Sequence, residues 1–294
     1  LLDTSLLYLD VVGYCAIKSS MLIADSFALS LKKYQKNFKI GVYKIFLDGS
    51  PQGRTAWMIE PYQNNGGSEP YYGYGTMSDN EVLNVVEKSA RDNMQILVHC
   101  NGDKACEQFI NAMQKAQKEY TNLNSLRPVA IHAQLMNEQQ LDMCKTLGII
   151  PSFFVAHVYH WGDVHIKNFG FNRAQKISIA KSAIDKNIIF TFHQDSPVIE
   201  PNVLETIWCA VARTTKSGKI LGEDQKISVY NALKAVTINS AYSYFEENEK
   251  GSIKIGKKAD LIILSDNPLT VNINEIKNIK VLETIKNGET IFKI

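Results

Sequence analysis

Ile96-Leu97-Val98-His99-Cys100 is apolar at every position but its histidine, and residues 104–120 behind it carry Phe109, Ala112, Met113 and Ala116 at helical spacing. A short continuous apolar run suits a strand covered on both faces, and a 3.6-residue period suits an amphipathic helix. Together they predict one strand–helix unit, and the alternation repeats outward from it. Residues 42–47, 129–133, 149–154 and 188–192 read as strands, with 11–17 a weaker one. Residues 79–93, 137–147 and 173–187 read as helices, the first preceded by Ser78 and Glu81 in the spacing of a capping box. About six such units predict an α/β fold with a parallel sheet. Eight would close a (β/α)8 TIM barrel, and an open doubly wound sheet is the alternative. No glycine-rich phosphate fingerprint follows any run, which weighs against a nucleotide-binding sheet.

The 294 residues allow one large domain or two small ones. With 45% hydrophobic and 21% charged residues the chain can build a core and is not of the disordered class. Its 32 basic and 30 acidic residues leave a net charge of +2, no field for nucleic acid or an anionic membrane. No apolar run is long enough to span a bilayer, and Asp3 and Asp10 interrupt the opening leucines, so a secretory leader is not expected. Five cysteines, an odd number without CxxC spacing, predict reduced thiols in a cytoplasmic setting.

Residues 49–77 break the alternation with Gly66-Gly67, Pro70 and Tyr71-Tyr72-Gly73-Tyr74-Gly75. So long a stretch without periodicity inside a domain is read as an ordered lid or substrate wall. Residues 251–264 and 281–294 read as strands, with Asn287-Gly288 a two-residue hairpin turn. They predict a small β appendage, and the division is residues 1–250 and 251–294.

Catalytic groups of a barrel sit at the C-terminal strand ends. All six histidines, His99, His132, His157, His160, His165 and His193, fall at or just after predicted strand ends. Imidazoles and a carboxylate converging on one mouth are the ligand set of a hydrolytic metal such as zinc. His99 and His132, inside apolar runs, are the strongest ligand candidates. Asp195, before Ser196-Pro197, reads equally as a turn former. Lys44 within an apolar strand needs a partner: either a salt bridge or modification to a carbamate. His157 and His160 share a loop with Tyr159 and Trp161, which suits substrate contact, and His165 reads as an exposed loop residue.

Tyr43-Lys44-Ile45-Phe46-Leu47-Asp48-Gly49-Ser50, Val98-His99-Cys100-Asn101-Gly102-Asp103, Ile131-His132-Ala133-Gln134, Trp161-Gly162-Asp163, His193-Gln194-Asp195-Ser196-Pro197-Val198 and the segment 251–262 stand in that order. In this order the chain resembles the amidohydrolase superfamily, specifically amidohydrolase family 3, which includes enzymes of the N-substituted formamide deformylase type. The resemblance implies a metal-bearing TIM barrel with an appended β-sandwich. It implies His99, His132 and Asp195 as metal ligands, Asp195 also as catalytic acid/base, and Lys44 as a carboxylated lysine bridging two ions. His157, His160, Trp161, Asp48 and Arg54 would line the substrate pocket. The family's first barrel strand ends in a His-x-His pair that supplies a second ion, and no His-x-His occurs here. With Leu1 in first position, the expectation is a fragment beginning near the third strand, its catalysis reduced or absent.

The expected function is metal-dependent hydrolysis of a C–N bond, amide or N-acyl, of a small-molecule substrate by metal-activated hydroxide, with one or two divalent ions and a homo-oligomer left open. The alternative is a catalytically dead remnant with a binding or regulatory role. A metal-free barrel using Asp48 and Asp195 as paired carboxylates leaves the histidines unexplained.

Overall fold

Residues 7–17, 31–63 and 69–294 are described by a computed structural model. Strands β1 (Val11–Ala16), β2 (Phe38–Phe46), β3 (Gln95–Cys100), β4 (Val129–His132), β5 (Ile150–Phe153) and β6 (Thr191–Phe192) form one sheet in sequential order, every neighbour parallel. A doubly wound sheet reverses its strand order at a switch point. This sheet has no reversal, so the progression is that of a barrel.

Helix α1 (Asp79–Arg91) joins β2 to β3, α2 (Asp103–Ala116) joins β3 to β4, and α3 (Glu138–Leu147) joins β4 to β5. Helices α4 (His157–Phe169), α5 (Phe171–Ala174) and α6 (Ala180–Asp185) lie between β5 and β6, and α7 (Val203–Ala212), α8 (Val229–Val236) and α9 (Ile238–Ser243) follow β6. Ser78 caps α1 with the expected box, its side chain accepting from the Glu81 amide while Glu81 accepts from the Ser78 amide at 2.7 Å.

Two sheet faces carry different chemistry because strand side chains alternate. Ile96, Val98, Cys100 and Ala130 face the helices and pack with Val82, Val86, Phe109, Met113 and Leu141. The other face carries a small apolar layer, Leu97, Val129 and Ile150, backed by Tyr14, Ile131 and Tyr242. Registered partners in a parallel sheet share a face. The pairs Lys44–Leu97, Phe46–His99, His99–Ile131, Ile131–Ser152 and Ser152–Thr191 therefore put Lys44, Phe46, His99 and Ser152 on this second face, toward the strand C-termini.

Four stretches differ from the sequence reading. Residues 157–169, expected as loop, are the helix α4, whose buried positions His157, Gly162, His165 and Phe169 recur at helical spacing. Residues 173–187, expected as one helix, break at Ser178 (φ +49°). The cause is Arg213, fully buried, whose guanidinium donates to the carbonyls of Gln175, Ile177 and Ser178, acceptors that a continuous helix would use itself. Strand β6 is only two residues long.

The fourth is the expected β-sandwich. Among the described residues it is a single antiparallel sheet of β7 (Leu261–Leu264), β8 (Val281–Lys286) and β9 (Glu289–Lys293), with no second layer. Gly251 and Gly256, both at positive φ, turn the segment expected to lead into it. The hairpin at Asn287-Gly288 forms as expected, with positive φ at both residues as a type I′ turn requires.

The described residues of 49–77 hold no helix or strand, and Gly66-Gly67 lie outside the described residues. The described part folds on itself through Met58 N to Tyr72 O and Tyr62 N to Tyr71 O, both 2.8 Å, and reaches α4 through Gln63 N to Asn168 O, 2.7 Å. Its approach to α2 requires glycine: a Cβ on Gly102 would stand 1.8 Å from the Trp57 carbonyl oxygen. The five cysteines are free. Among the described residues no helix is long and apolar enough to cross a membrane.

Candidate functional site

His99, on the second sheet face, is half-buried beside the loop that follows β2. Its Nε2 lies 3.2 Å from the Gly49 carbonyl oxygen and 3.0 Å from Asn101 Nδ2. Asp48 is buried below this point. Its two oxygens accept the backbone N–H groups of Trp57 (3.0 Å), Asn101 (3.0 Å) and Gly102 (2.7 Å). Burial pushes its carboxyl up to about 7, against the pull of those donors. Asp48 thus fastens the loop after β2 to the turn after β3 instead of presenting itself at the mouth. Arg54, also expected at the substrate, donates from Nε to Asn168 Oδ1 at 3.0 Å.

His132 ends β4. Strand alternation would send its ring toward the helices with Cys100, but its φ of +72°, followed by +44° at Ala133, turns it back. Its ring centroid lies 4.4 Å from that of His99 and 4.8 Å from that of His193. His193 links two residues: Nε2 meets His132 Nδ1 at 3.0 Å, and Nδ1 meets Ser152 Oγ at 3.1 Å. Burial drives these imidazoles toward the neutral form, His99 down to about 4, His193 to about 3, and His132 well below its ordinary value.

Lys44 has no carboxylate within ion-pair distance among the described residues, so the salt-bridge alternative finds no partner. Its Nζ lies 5.1 Å from the Phe46 ring centroid. Burial pulls its pKa down to about 8, with Asp195 among the groups opposing the shift. Asp195 is an exposed turn residue at φ +51°, its carbonyl accepting from Val198 N at 2.8 Å. Partial burial raises its carboxyl, and Lys44 counteracts this.

A second group of imidazoles sits on α4. His157 lies 4.5 Å from Phe154 and 4.6 Å from Trp161, centroid to centroid, and Phe154 lies 5.2 Å from His193. His160 meets Glu205 of α7 through Nε2 at 2.6 Å. His165, expected as an exposed loop residue, is fully buried, because it stands two helical turns beyond His157 on the same face. Its Nε2 lies 3.0 Å from His157 Nδ1.

Histidines 99, 132 and 193 therefore converge, while Asp195 shares their end of the sheet with Lys44. His193, Ser152, Glu205 and His165 carry no assigned role in the sequence reading. His193 had a signal, a place just beyond a strand, and His165 had its spacing of eight residues from His157 once the segment is read as a helix; the partners of His193, Ser152 and Glu205 emerge only when separate elements are brought together. Among the described residues no group of three or more His, Cys, Asp or Glu side chains stands arranged to hold a metal ion, since His132 and His193 direct nitrogens at each other. The donor chemistry nevertheless fits a divalent ion: buried imidazoles held neutral, with no acidic side chain on His132 or His193, are the form that ligates.

Comparison with known proteins bears on this arrangement. A model described as the amidohydrolase family matches residues 4–292. The Bacillus subtilis protein YtcJ is 29% identical over 262 residues, covering 87% of this chain and 47% of that protein. The N-substituted formamide deformylase of Arthrobacter pascens is 26% identical over 249 residues, 84% of this chain and 45% of the enzyme. The chain spans about half the length of these relatives. Among solved structures, an uncharacterized metal-dependent hydrolase from Pyrococcus furiosus superposes with a TM-score of 0.74 at 25% identity, over 90% of this chain and 52% of that one.

Proposed function

This chain belongs to the amidohydrolase family, and from that premise we propose that it serves metal-dependent hydrolysis of a C–N bond in a small amide or N-acyl compound. The observation that carries the reading is the convergence of His99, His132 and His193 at the C-terminal ends of β3, β4 and β6. The relative that deformylates N-substituted formamides supports the choice of bond. The six-strand sheet is read as part of a (β/α)8 barrel comprising residues 1–250, and residues 251–294 as a small separate β domain.

His99, His132 and Asp195 would hold the ion, with Lys44 as a further ligand if carboxylated, and zinc is the assignment. Such an ion, when bound, acidifies water and polarises a carbonyl. The chain's own groups account for the remaining steps. His99 Nε2 stands between the Gly49 carbonyl and the Asn101 amide, contacts that hold the ring in place at the mouth. Asp48 keeps this loop and the β3 turn in register. An Asp195 carboxylate oxygen accepts the proton of the attacking water and returns it to the departing nitrogen. Burial of Lys44, which lowers its pKa to about 8, raises the share of its neutral amine, the form that reacts with carbon dioxide. His157, His160 and Trp161 bound the substrate space.

Elemental analysis of the zinc-treated chain tests the reading. Zinc should be retained by the parent chain and lost in His99→Ala and in His132→Ala; undiminished zinc in both variants refutes it. The pairing of His132 with His193 favours a second reading, a binding role without turnover. Formate release from N-substituted formamides separates the two.

A further inference from the structure

We infer that His165 is a positioning residue that fixes His157 as its Nε2–H tautomer, turning one N–H donor toward the mouth for the carbonyl oxygen of an acyl substrate. The use made of that donor rests on the hydrolase reading; the tautomer does not.

The deduction starts from the buried end of the pair. His165 is fully buried, and its Nδ1 has no hydrogen-bond partner. Its Nε2 lies 3.0 Å from His157 Nδ1, the two rings nearly parallel at 8°. No carboxylate touches either ring, and burial holds both neutral, so each carries one proton. A proton on His165 Nδ1 would create a buried N–H with nothing to accept it, the rarer and costlier kind of orphan. The proton therefore belongs on His165 Nε2, donated to His157 Nδ1, which accepts with its lone pair. A neutral imidazole whose Nδ1 accepts must carry its hydrogen on Nε2.

The location of that N–H follows from the same inventory. His157 is 2% exposed. Its Nε2 has no partner among the described residues, yet it is not among the sealed orphan atoms, so the open part of the ring includes it. Phe154 and Trp161 flank the ring, and Phe154 also touches His193, so a single aromatic ring separates His157 from the histidine cluster.

Two-bond proton–nitrogen correlation spectra of the 15N-labelled full chain read each ring's tautomer, with His157→Gln identifying the His157 signals. The expected result is a protonated Nε2 and a bare Nδ1 on His157. His165→Leu should scramble this pattern, and His165→Gln, whose amide can still donate, should restore it. A proton on Nδ1 of His157 in the parent chain, or an unaltered tautomer in His165→Leu, overturns the assignment. Because the parent spectrum is decisive by itself, misfolding of His165→Leu leaves the inference falsifiable. Sodium acetate, a probe with a carbonyl-type acceptor oxygen, should shift the His157 Nε2 signal; an unmoved signal overturns the donor's role. A chain that takes up no zinc but shows the Nε2–H tautomer refutes the hydrolase reading alone, and a zinc-binding chain with the opposite tautomer refutes this inference alone.

Discussion

Asp48 sits within one residue of a predicted strand end, and yet it faces protein. Three backbone N–H groups, those of Trp57, Asn101 and Gly102, end on its carboxylate. Removing the acceptor strands donors beside His99, and each unmet buried group costs about 1–3 kcal/mol. Asp48→Ala should therefore lower the unfolding free energy by at least ~2 kcal/mol in urea, while Asp48→Asn, which keeps one acceptor oxygen, should lose less. Equal losses would mean the carboxylate does not organise these loops. His165 makes the matching prediction for pH. Burial drives its folded pKa to about 3 from 6.5, so between those values the unfolded chain binds the proton and the folded chain does not. Stability is full above pH 6.5 and declines as the pH falls toward 3, by up to about 1.4 kcal/mol per pH unit for one such group. His165→Gln should flatten the decline between pH 6 and 4 by a share of that slope, read from urea midpoints at each pH; a parallel profile would contradict the neutral, buried imidazole.

An element can be announced locally, and α1 was. Ser78 and Glu81 predict its start, and their reciprocal hydrogen bonds are present. Ser78→Ala should cost about 1 kcal/mol, measured by thermal or urea unfolding; no change would show that the helix is held by packing alone. The strands of the sheet were equally legible, because continuous apolar runs report burial on both faces, and His99 and His132 were placed at strand ends for that reason. What the pattern could not show is where an element is overruled from a distance. Arg213 breaks the helix expected at 173–187 by taking its carbonyls, though 35 to 38 residues separate it from them. Helix α4 was hidden for a different reason: its buried face carries histidines and a glycine, which read as polar and turn-forming when viewed singly. His193 lacked a role for a third reason, since its partners Ser152 and His132 arrive from β5 and β4, and only sheet order brings them together.

At the scale of the whole molecule, the parallel sheet and the small C-terminal sheet are tied by charge. Lys39 of β2 and Tyr34 both reach Glu246, Lys250 bridges Glu246 (2.9 Å) and Asp10, and Lys286 of β8 joins Asp10 at 3.1 Å. Burial pushes Glu246 and Asp10 up, but their lysine partners outweigh it and hold both below the ordinary carboxylate range. Glu247 is lowered as well, chiefly by its bond to Arg127. These shifts have the opposite direction in pKa from a raised carboxyl, so their contribution is present above the unfolded pKa near 4 and is lost as the pH falls through the folded values. The imidazole window opens higher, at pH 6.5, so the loss of stability on acidification should begin with the imidazoles and steepen below about 4 as the carboxylates join. Glu246→Gln leaves Lys39 and Lys250 facing a neutral amide in a poorly solvated site, and breaking such a buried pair costs about 3 kcal/mol. It should reduce the steepening below pH 4 while leaving the decline between pH 6.5 and about 4 unaltered. The exposed pair Lys181–Asp185 is the control: Asp185→Asn should change stability by under ~0.5 kcal/mol. A Glu246→Gln chain as stable as the Asp185→Asn chain would show that the two sheets are held by apolar contact and that this network is ornamental to the fold.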